Sequence, residues 1–201
     1  MKVALCVPSG DLIHADFMIS LSVLFAECTR REVDVSILNV RTSLIENSRF
    51  MLVRQALEEG ADKLLFLDSD MTFPADALLK LLAADRPIVG ATYVQRRPPH
   101  GVLGYGLPGC SGEARYVEMA RMPTGCLLVG AEVFRALTQP WFASQWAEET
   151  QSFVSEDYWF CDRAREAGFS IWCDLQLSHE IGHIGQETYY WVDDSVGDRP
   201  A

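Results

Sequence analysis

Short apolar runs and helical stripes alternate along the first half of the chain. Residues 3–7 are uniformly apolar and stop at Pro8-Ser9-Gly10-Asp11, which predicts a buried strand closed by a turn. From about residue 16 to 30, Phe17, Leu21, Leu24, Phe25 and Cys28 recur at roughly helical spacing. Residues 33–39 alternate as a second strand does, and 39–43 form a polar loop at its carboxyl end. A helix is predicted over 45–59, with Gly60 as its left-handed terminal residue. Residues 63–67 are a second apolar run, cut off by Asp68-Ser69-Asp70. Pro74-Ala75-Asp76 opens a helix to about residue 84, and 87–92 read as a fourth strand. This β-α-β-α-β-α-β order predicts an α/β fold, with a mainly parallel central sheet and helices on both faces.

After Tyr93 the periodicity is lost. Residues 95–123 are rich in Gly, Pro and Arg and read as a long irregular excursion, a type of segment that often carries binding loops. A strand over 122–130, a short helix near 132–137 and a Trp/Phe-rich stretch with Trp141, Phe142 and Trp146 follow. Ser155-Glu156-Asp157 opens a helix that ends at Gly168, with Ser155 as a candidate N-cap. Residues 169–173 give a late strand, and the tail holds His179, His183 and Tyr189-Tyr190-Trp191. Without repeats or linkers, residues 1–201 are expected to form one domain.

Composition narrows the function. The chain is 49% hydrophobic and 22% charged, with a formal net charge of -11 and only Lys2, Lys63 and Lys80 as lysines. That disfavours a broad electrostatic grip on nucleic acid, which needs clustered cations. It leaves room for a nucleotide ligand whose charge a metal neutralises. Six scattered cysteines lack a CxxC pair, so reduced core thiols are expected rather than a zinc site. The chain has no 18-residue apolar span and no visible signal peptide, and a cytoplasmic location is expected.

The chemistry centres on Asp68 and Asp70. Two carboxylates at the carboxyl end of a buried strand sit where open α/β sheets bind ligands. As hard oxygen donors they suit Mg²⁺ or Mn²⁺ and a phosphorylated substrate. One alternative is a haloacid-dehalogenase-like phosphatase, since Asp68-Ser69-Asp70-Met71-Thr72 fits DxDxT with Asp68 as nucleophile. The acidic stretch over 192–198 resembles that family's late motif. Against it, two strand–helix units precede the motif, and no lysine follows Lys80. A purely structural capping role is another alternative.

In chain order, further residues resemble a known family. Asn39-Val40-Arg41-Thr42-Ser43-Leu44-Ile45 with Ser48-Arg49 resembles a segment lining a nucleotide, and Leu65-Phe66-Leu67-Asp68-Ser69-Asp70-Met71 a metal and donor motif. Pro123-Thr124-Gly125 resembles the glycine-bearing strand start beside a donor sugar. Ser155-Glu156-Asp157-Tyr158 resembles an ED motif, and His183-Ile184-Gly185 a C-terminal metal-ligand motif. Together these resemble a small GT-A fold glycosyltransferase, similar to family 2-like bacterial and phage enzymes. Phe50, where many relatives carry Asn, departs from the pattern.

The resemblance implies a Rossmann-like domain with a nucleotide-binding half (1–92) and an acceptor and catalytic half (93–201). It implies transfer of a sugar from a nucleoside-diphosphate sugar to an acceptor hydroxyl, with inversion. UDP is the expected nucleotide, with GDP and TDP open. Asp157 is the implied general base and Glu156 its neighbour toward the donor sugar or acceptor. Asp70 and His183 are the implied ligands of Mn²⁺ or Mg²⁺, with Asp68 facing the ribose, a metal-bound water or the metal itself. Gly182 and Gly185 favour His183 over His179, because they let the backbone bend close to a ligand. Pro8, Ser9, Arg41, Arg49, Ser69 and Gly125 are the remaining candidates for donor contact. The acceptor is left open among a glycan, a protein side chain and a hydroxymethylated DNA base; Arg96, Arg97 and His100 make a local basic patch, with Arg115 a candidate to join it. A partner or homodimer could complete the acceptor site. A degenerate nucleotide-sugar-binding module is the non-catalytic alternative.

Overall fold

The computed structural model describes residues 1–96, 99–108 and 114–185. Arg97, Cys110, the aromatic triplet 189–191 and the acidic stretch 192–198 lie outside the described residues. The first half follows the predicted order: β1 (Lys2–Ser9), α1 (Ala15–Arg30), β2 (Asp34–Arg41), α2 (Ile45–Glu58) and β3 (Lys63–Leu67). A two-residue β4 (Met71–Thr72) comes next, then α3 (Ala77–Ala83) and β5 (Ile88–Gly90). Gly60 closes α2 as expected. With φ +74° it lets Gly60 N–H donate to Leu57 O at 3.1 Å and Ala61 N–H to Ala56 O at 2.9 Å. Gly168 ends the late helix the same way, with φ +90°. Pro74 lies in a turn before α3, three residues ahead of the first helical residue.

The later half is more strand-rich than its composition suggests. The excursion contains β6 (Tyr105–Gly106) and β7 (Tyr116–Arg121), followed by β8 (Cys126–Gly130) and α4 (Ala131–Ala136). A hairpin of β9 (Gln145–Ala147) and β10 (Ser152–Val154) leads into α5 (Glu156–Glu166). The described chain closes with β11 (Ile171–Asp174), α6 (Leu175–Ser178) and β12 (Gly182–His183).

Eight strands form the central sheet in the order β2-β1-β3-β8-β5-β11-β7-β6. Pairings β1–β2, β1–β3 and β5–β11 are parallel, while β8 runs antiparallel to both β3 and β5. Six of the eight strands therefore point one way, and β7 and β8 are reversed. Alternating side chains feed two cores, one on each sheet face. One face packs Leu64, Phe66, Leu127 and Val129 against α2, α4 and α5. The other packs Leu65, Leu67, Val89 and Leu128 against α1, α3 and α6. All five described cysteines are free and buried, and burial pushes the Cys126 and Cys161 thiols up to about 12.

The reversal of β8 has a positional effect. Its first residues lie at the carboxyl ends of β3 and β5, so Gly125 meets the end of β3 and its carbonyl accepts from Asp68 N–H at 3.2 Å. Close packing of β5 on β8 requires Gly90: a Cβ there would lie 2.6 Å from Cys126 O and 2.7 Å from Leu127 Cδ1. Gly90→Ala is expected to destabilise the protein by about 2 kcal/mol through forced overpacking. Urea denaturation checks this: the midpoint falls while the slope is unchanged.

Candidate functional site

The carboxyl ends of β1, β2 and β3 border a cleft of about 220 Å³ lined by Pro8, Ser9, Thr42, Ser48, Asp68, Ser69 and Asp70, among others. Five predicted donor or metal residues thus line one cleft. Asn39 Nδ2 donates to Val7 O and Ser9 Oγ, each at 2.9 Å, which fixes the end of β1. Thr42 and Ser48 hydroxyls lie 2.8 Å apart and shape the opposite wall. Arg41 stands apart from them. Its exposed guanidinium is 4.0 Å from Asp11 at the rim.

Arg49 lies beneath this cleft at 3% exposure. Its Nη2 donates to both Asp68 oxygens, at 2.8 and 3.1 Å, and its Nε is 3.6 Å from Glu156 Oε1. Burial opposes the charge on Arg49, but Asp68, Glu156 and Asp157 outweigh it and hold the guanidinium above its usual value. Burial holds Asp68 and Glu156 above the usual carboxylate range, and Arg49 opposes this in both. Nε and Nη1 of Arg49 and Oγ1 of Thr124 are buried without a hydrogen-bond partner among the described residues. Both Asp68 oxygens are thus engaged by one arginine, which disfavours the nucleophile role of the phosphatase alternative.

Asp70 is held from the other side. The β4–β12 pairing sets His183 opposite Met71, and Ile184 N–H donates to Asp70 O at 2.8 Å. Gly182 is needed here, because a Cβ would collide with Thr72 Oγ1. His183 Nδ1 is 2.8 Å from Val94 O, a contact that needs the proton on Nδ1 and leaves Nε2 as the free lone pair. That Nε2 is 3.7 Å from Asp70 Oδ2, and Arg96 Nη1 lies 2.8 Å from the same oxygen. His179, the competing histidine, is the C-cap of α6.

These residues fit a divalent cation. A guanidinium already stands against the carboxylate oxygen that the imidazole lone pair approaches. Asp68, Asp70, Glu156 and Asp157 also outnumber Arg49 and Arg96 as charges, by two. Among the described residues no group of three His, Cys, Asp or Glu side chains forms a complete cage. Mg²⁺ and Mn²⁺ sites commonly use one or two protein ligands, with substrate phosphates and water completing the shell.

Glu156 and Asp157 start α5. Ser155 occupies the N-cap position, but its side chain caps no backbone N–H; its hydroxyl donates to Asp157 Oδ1 instead. Tyr158 N–H donates to the same oxygen at 2.8 Å. Asp157 is therefore oriented through Oδ1, and among the described residues no donor engages Oδ2. Gly125 N–H donates to Tyr93 Oη at 3.1 Å, and a Cβ at Gly125 would strike that phenol. Tyr93 also packs edge-on against His183, ring centroids 5.0 Å apart. Burial, reinforced by Asp68, pushes its phenol well above the usual value. The structure thus brings Asp68, Asp70, His183, Gly125, Arg49 and Glu156 into one network and leaves Arg41 at its edge. Sequence reasoning missed Tyr93 and the Val94 carbonyl; their only signal was position at the end of a strand pattern.

The sequence matches no protein-family model and no curated protein sequence. Solved structures do resemble the fold. A protein from STIV aligns with a TM-score of 0.60 and 14% identity, over 96% of this chain and all of that one. The catalytic domain of Drosophila β-1,4-galactosyltransferase 7 with xylobiose aligns at 0.59 and 17%, over 91% of this chain and 70% of that one. A mutant of the same enzyme, with manganese, UDP-Gal and xylobiose, aligns at 0.53 and 18%, over 96% and 77%. At these identities the likeness is one of architecture: the chain has a GT-A glycosyltransferase fold.

Proposed function

We propose that the protein is a metal-dependent glycosyltransferase that moves a sugar from a UDP-sugar to an acceptor hydroxyl with inversion. One observation carries the reading. The buried Arg49 joins the strand-end carboxylate Asp68 to the helix-start carboxylate Glu156, and Asp70, two residues on, stands beside His183 and Arg96. The neighbouring structure that holds manganese and UDP-Gal supplies the ligand class by analogy.

Residues 1–92 supply the donor side and 93–201 the catalytic carboxylates. The cleft of Pro8, Ser9 and Thr42 takes the nucleoside, with Asp68 and Ser69 toward the ribose. Asp70 and His183 Nε2 would hold Mn²⁺ or Mg²⁺, which when bound neutralises charge developing on the departing diphosphate. Arg96, on the hairpin segment that Val94 and Val102 bridge, stands beside that position. Gly125, on which the Tyr93 phenol closes, stands toward the donor sugar at the end of β3. Asp157, oriented through Oδ1 by Ser155 and Tyr158 N–H, accepts the acceptor's proton. Glu156 and Arg49 keep the two motifs in register.

Four outcomes test this. UDP is expected to raise the melting temperature only when Mn²⁺ or Mg²⁺ is present, and Asp70→Asn to abolish the shift; no metal-dependent shift with any nucleoside diphosphate would sink the reading. Asp157→Asn is expected to keep that shift while lowering turnover by about 10²–10⁴-fold; wild-type turnover would remove Asp157 as the base. Arg49→Leu leaves Asp68 and Glu156 without their shared cation and is expected to cost about 3 kcal/mol in urea denaturation.

The fourth concerns pH. Glu156 binds its proton more tightly in the fold than in the unfolded chain, where the pKa is about 4.3. Its contribution to stability is therefore present below that value and lost as pH rises through the native one. Glu156→Gln, neutral throughout, is expected to melt about 2 °C higher than wild type at pH 7 and no higher at pH 4. Melting curves at the two pH values decide it, and an equal shift at both excludes the linkage.

A further inference from the structure

Beside the catalytic helix lies a second cavity, of about 350 Å³, between the β9–β10 hairpin and the outward face of α5. Trp146 and Trp159 form its apolar walls, and Arg121, Gln145, Glu149 and Asp162 supply polar groups. Two features mark it as unfinished. Trp146 and Phe153 pair edge-to-face on the hairpin, centroids 5.2 Å apart, yet are 42% and 71% exposed. Exposed aromatic surface of this kind marks interaction sites. The Trp159 indole N–H is buried and has no hydrogen-bond acceptor among the described residues, while the residue itself lines the cavity.

The aromatic surface continues past the start of α5. Tyr105, 59% exposed, packs against Tyr158 at 5.4 Å, and the Arg121 guanidinium lies 5.8 Å from the Tyr158 ring. Arg121 also makes a two-point pair with Asp162, at 2.7 and 2.9 Å. That pair neutralises Arg121, the cation among the lining residues, so Glu148 and Glu149 leave the lining negative, with Arg163 5.8 Å from the Trp159 ring as the neighbouring cation. Flat rings with amide and carboxylate groups beside them suit the alternating C–H faces and hydroxyls of a sugar. A negative rim disfavours phosphate, and with it nucleic acid or a lipid phosphate. Trp159 is about 3 Å along the helix axis from Asp157 but on the other side of α5, and Val154 precedes the helix cap, so a bound chain reaches Asp157 by extending around the helix start.

The geometry points to a saccharide-binding site between the β9–β10 hairpin and α5 that holds the body of a neutral or amino-sugar acceptor chain. This rests on the proposed transferase reading and names its acceptor class. The test titrates full-length ¹⁵N-labelled protein with xylo-, cello-, chito-, manno- and galacto-oligosaccharides and follows the indole N–H resonances, assigned with Trp146→Phe and Trp159→Phe. At least one sugar is expected to shift the Trp146 and Trp159 signals. Trp146→Ala and Trp159→Ala are each expected to weaken it about tenfold, with metal-dependent UDP binding unchanged. The proposal is overturned if no sugar shifts either signal, if both alanine variants bind as the wild type does, or if a peptide or an oligonucleotide shifts them in place of sugar. Sugar binding without UDP binding would support this site and count against the transferase reading alone.

Discussion

A single buried guanidinium fixes the relation between the two halves of the site. Arg49 is anchored in α2, and its side chain reaches Asp68 at the end of β3 and Glu156 at the start of α5. An arginine suits this position better than a lysine, because its planar fork offers several donors and keeps its charge when desolvated. Without that charge, buried Asp68 and Glu156 would repel each other across a poorly solvated gap. Among the described residues its Nε and Nη1 have no hydrogen-bond partner.

The reversed strand β8 does comparable work on the backbone. A wholly parallel sheet would present only strand ends along the carboxyl edge. Inserting β8 the other way brings a strand start there, and with it the Thr124-Gly125 pair against Asp68 and Tyr93. Glycine at 125 allows the phenol to close on the main chain, while Tyr93 in turn supports His183. His183 and the strand start are thereby coupled through one aromatic ring.

Much of this was legible in the chain. Helix α1 announced itself through apolar spacing, α2 and α5 through terminal glycines, and β3 through an apolar run closed by two carboxylates. The excursion over 95–123 was not legible, since Tyr116–Arg121 alternates weakly and gains its strand character from pairing with β11. The direction of β8 was hidden for the same reason: an apolar pentapeptide carries no sign of its neighbours' orientation. Asp70, His183 and Asp157 could be nominated from motif resemblance, whereas Val94's grip on His183 and Ser155's donation to Asp157 depend on atoms that sequence spacing does not place. Ser155 shows the limit well. It stands where an N-cap belongs, yet its hydroxyl serves the neighbouring carboxylate.

The distribution of thiols has a consequence for watching this molecule open. Cys6, Cys161 and Cys173 belong to the core under α2, α4 and α5, whereas Cys28 and Cys126 belong to the core under α1 and α3. Each is buried and free, so a thiol-specific reagent gains access only when its own layer separates from the sheet. Timed alkylation read cysteine by cysteine would therefore clock the two faces independently. It would show whether the face that carries α5 and Asp157 opens before or together with the face under α1 and α3.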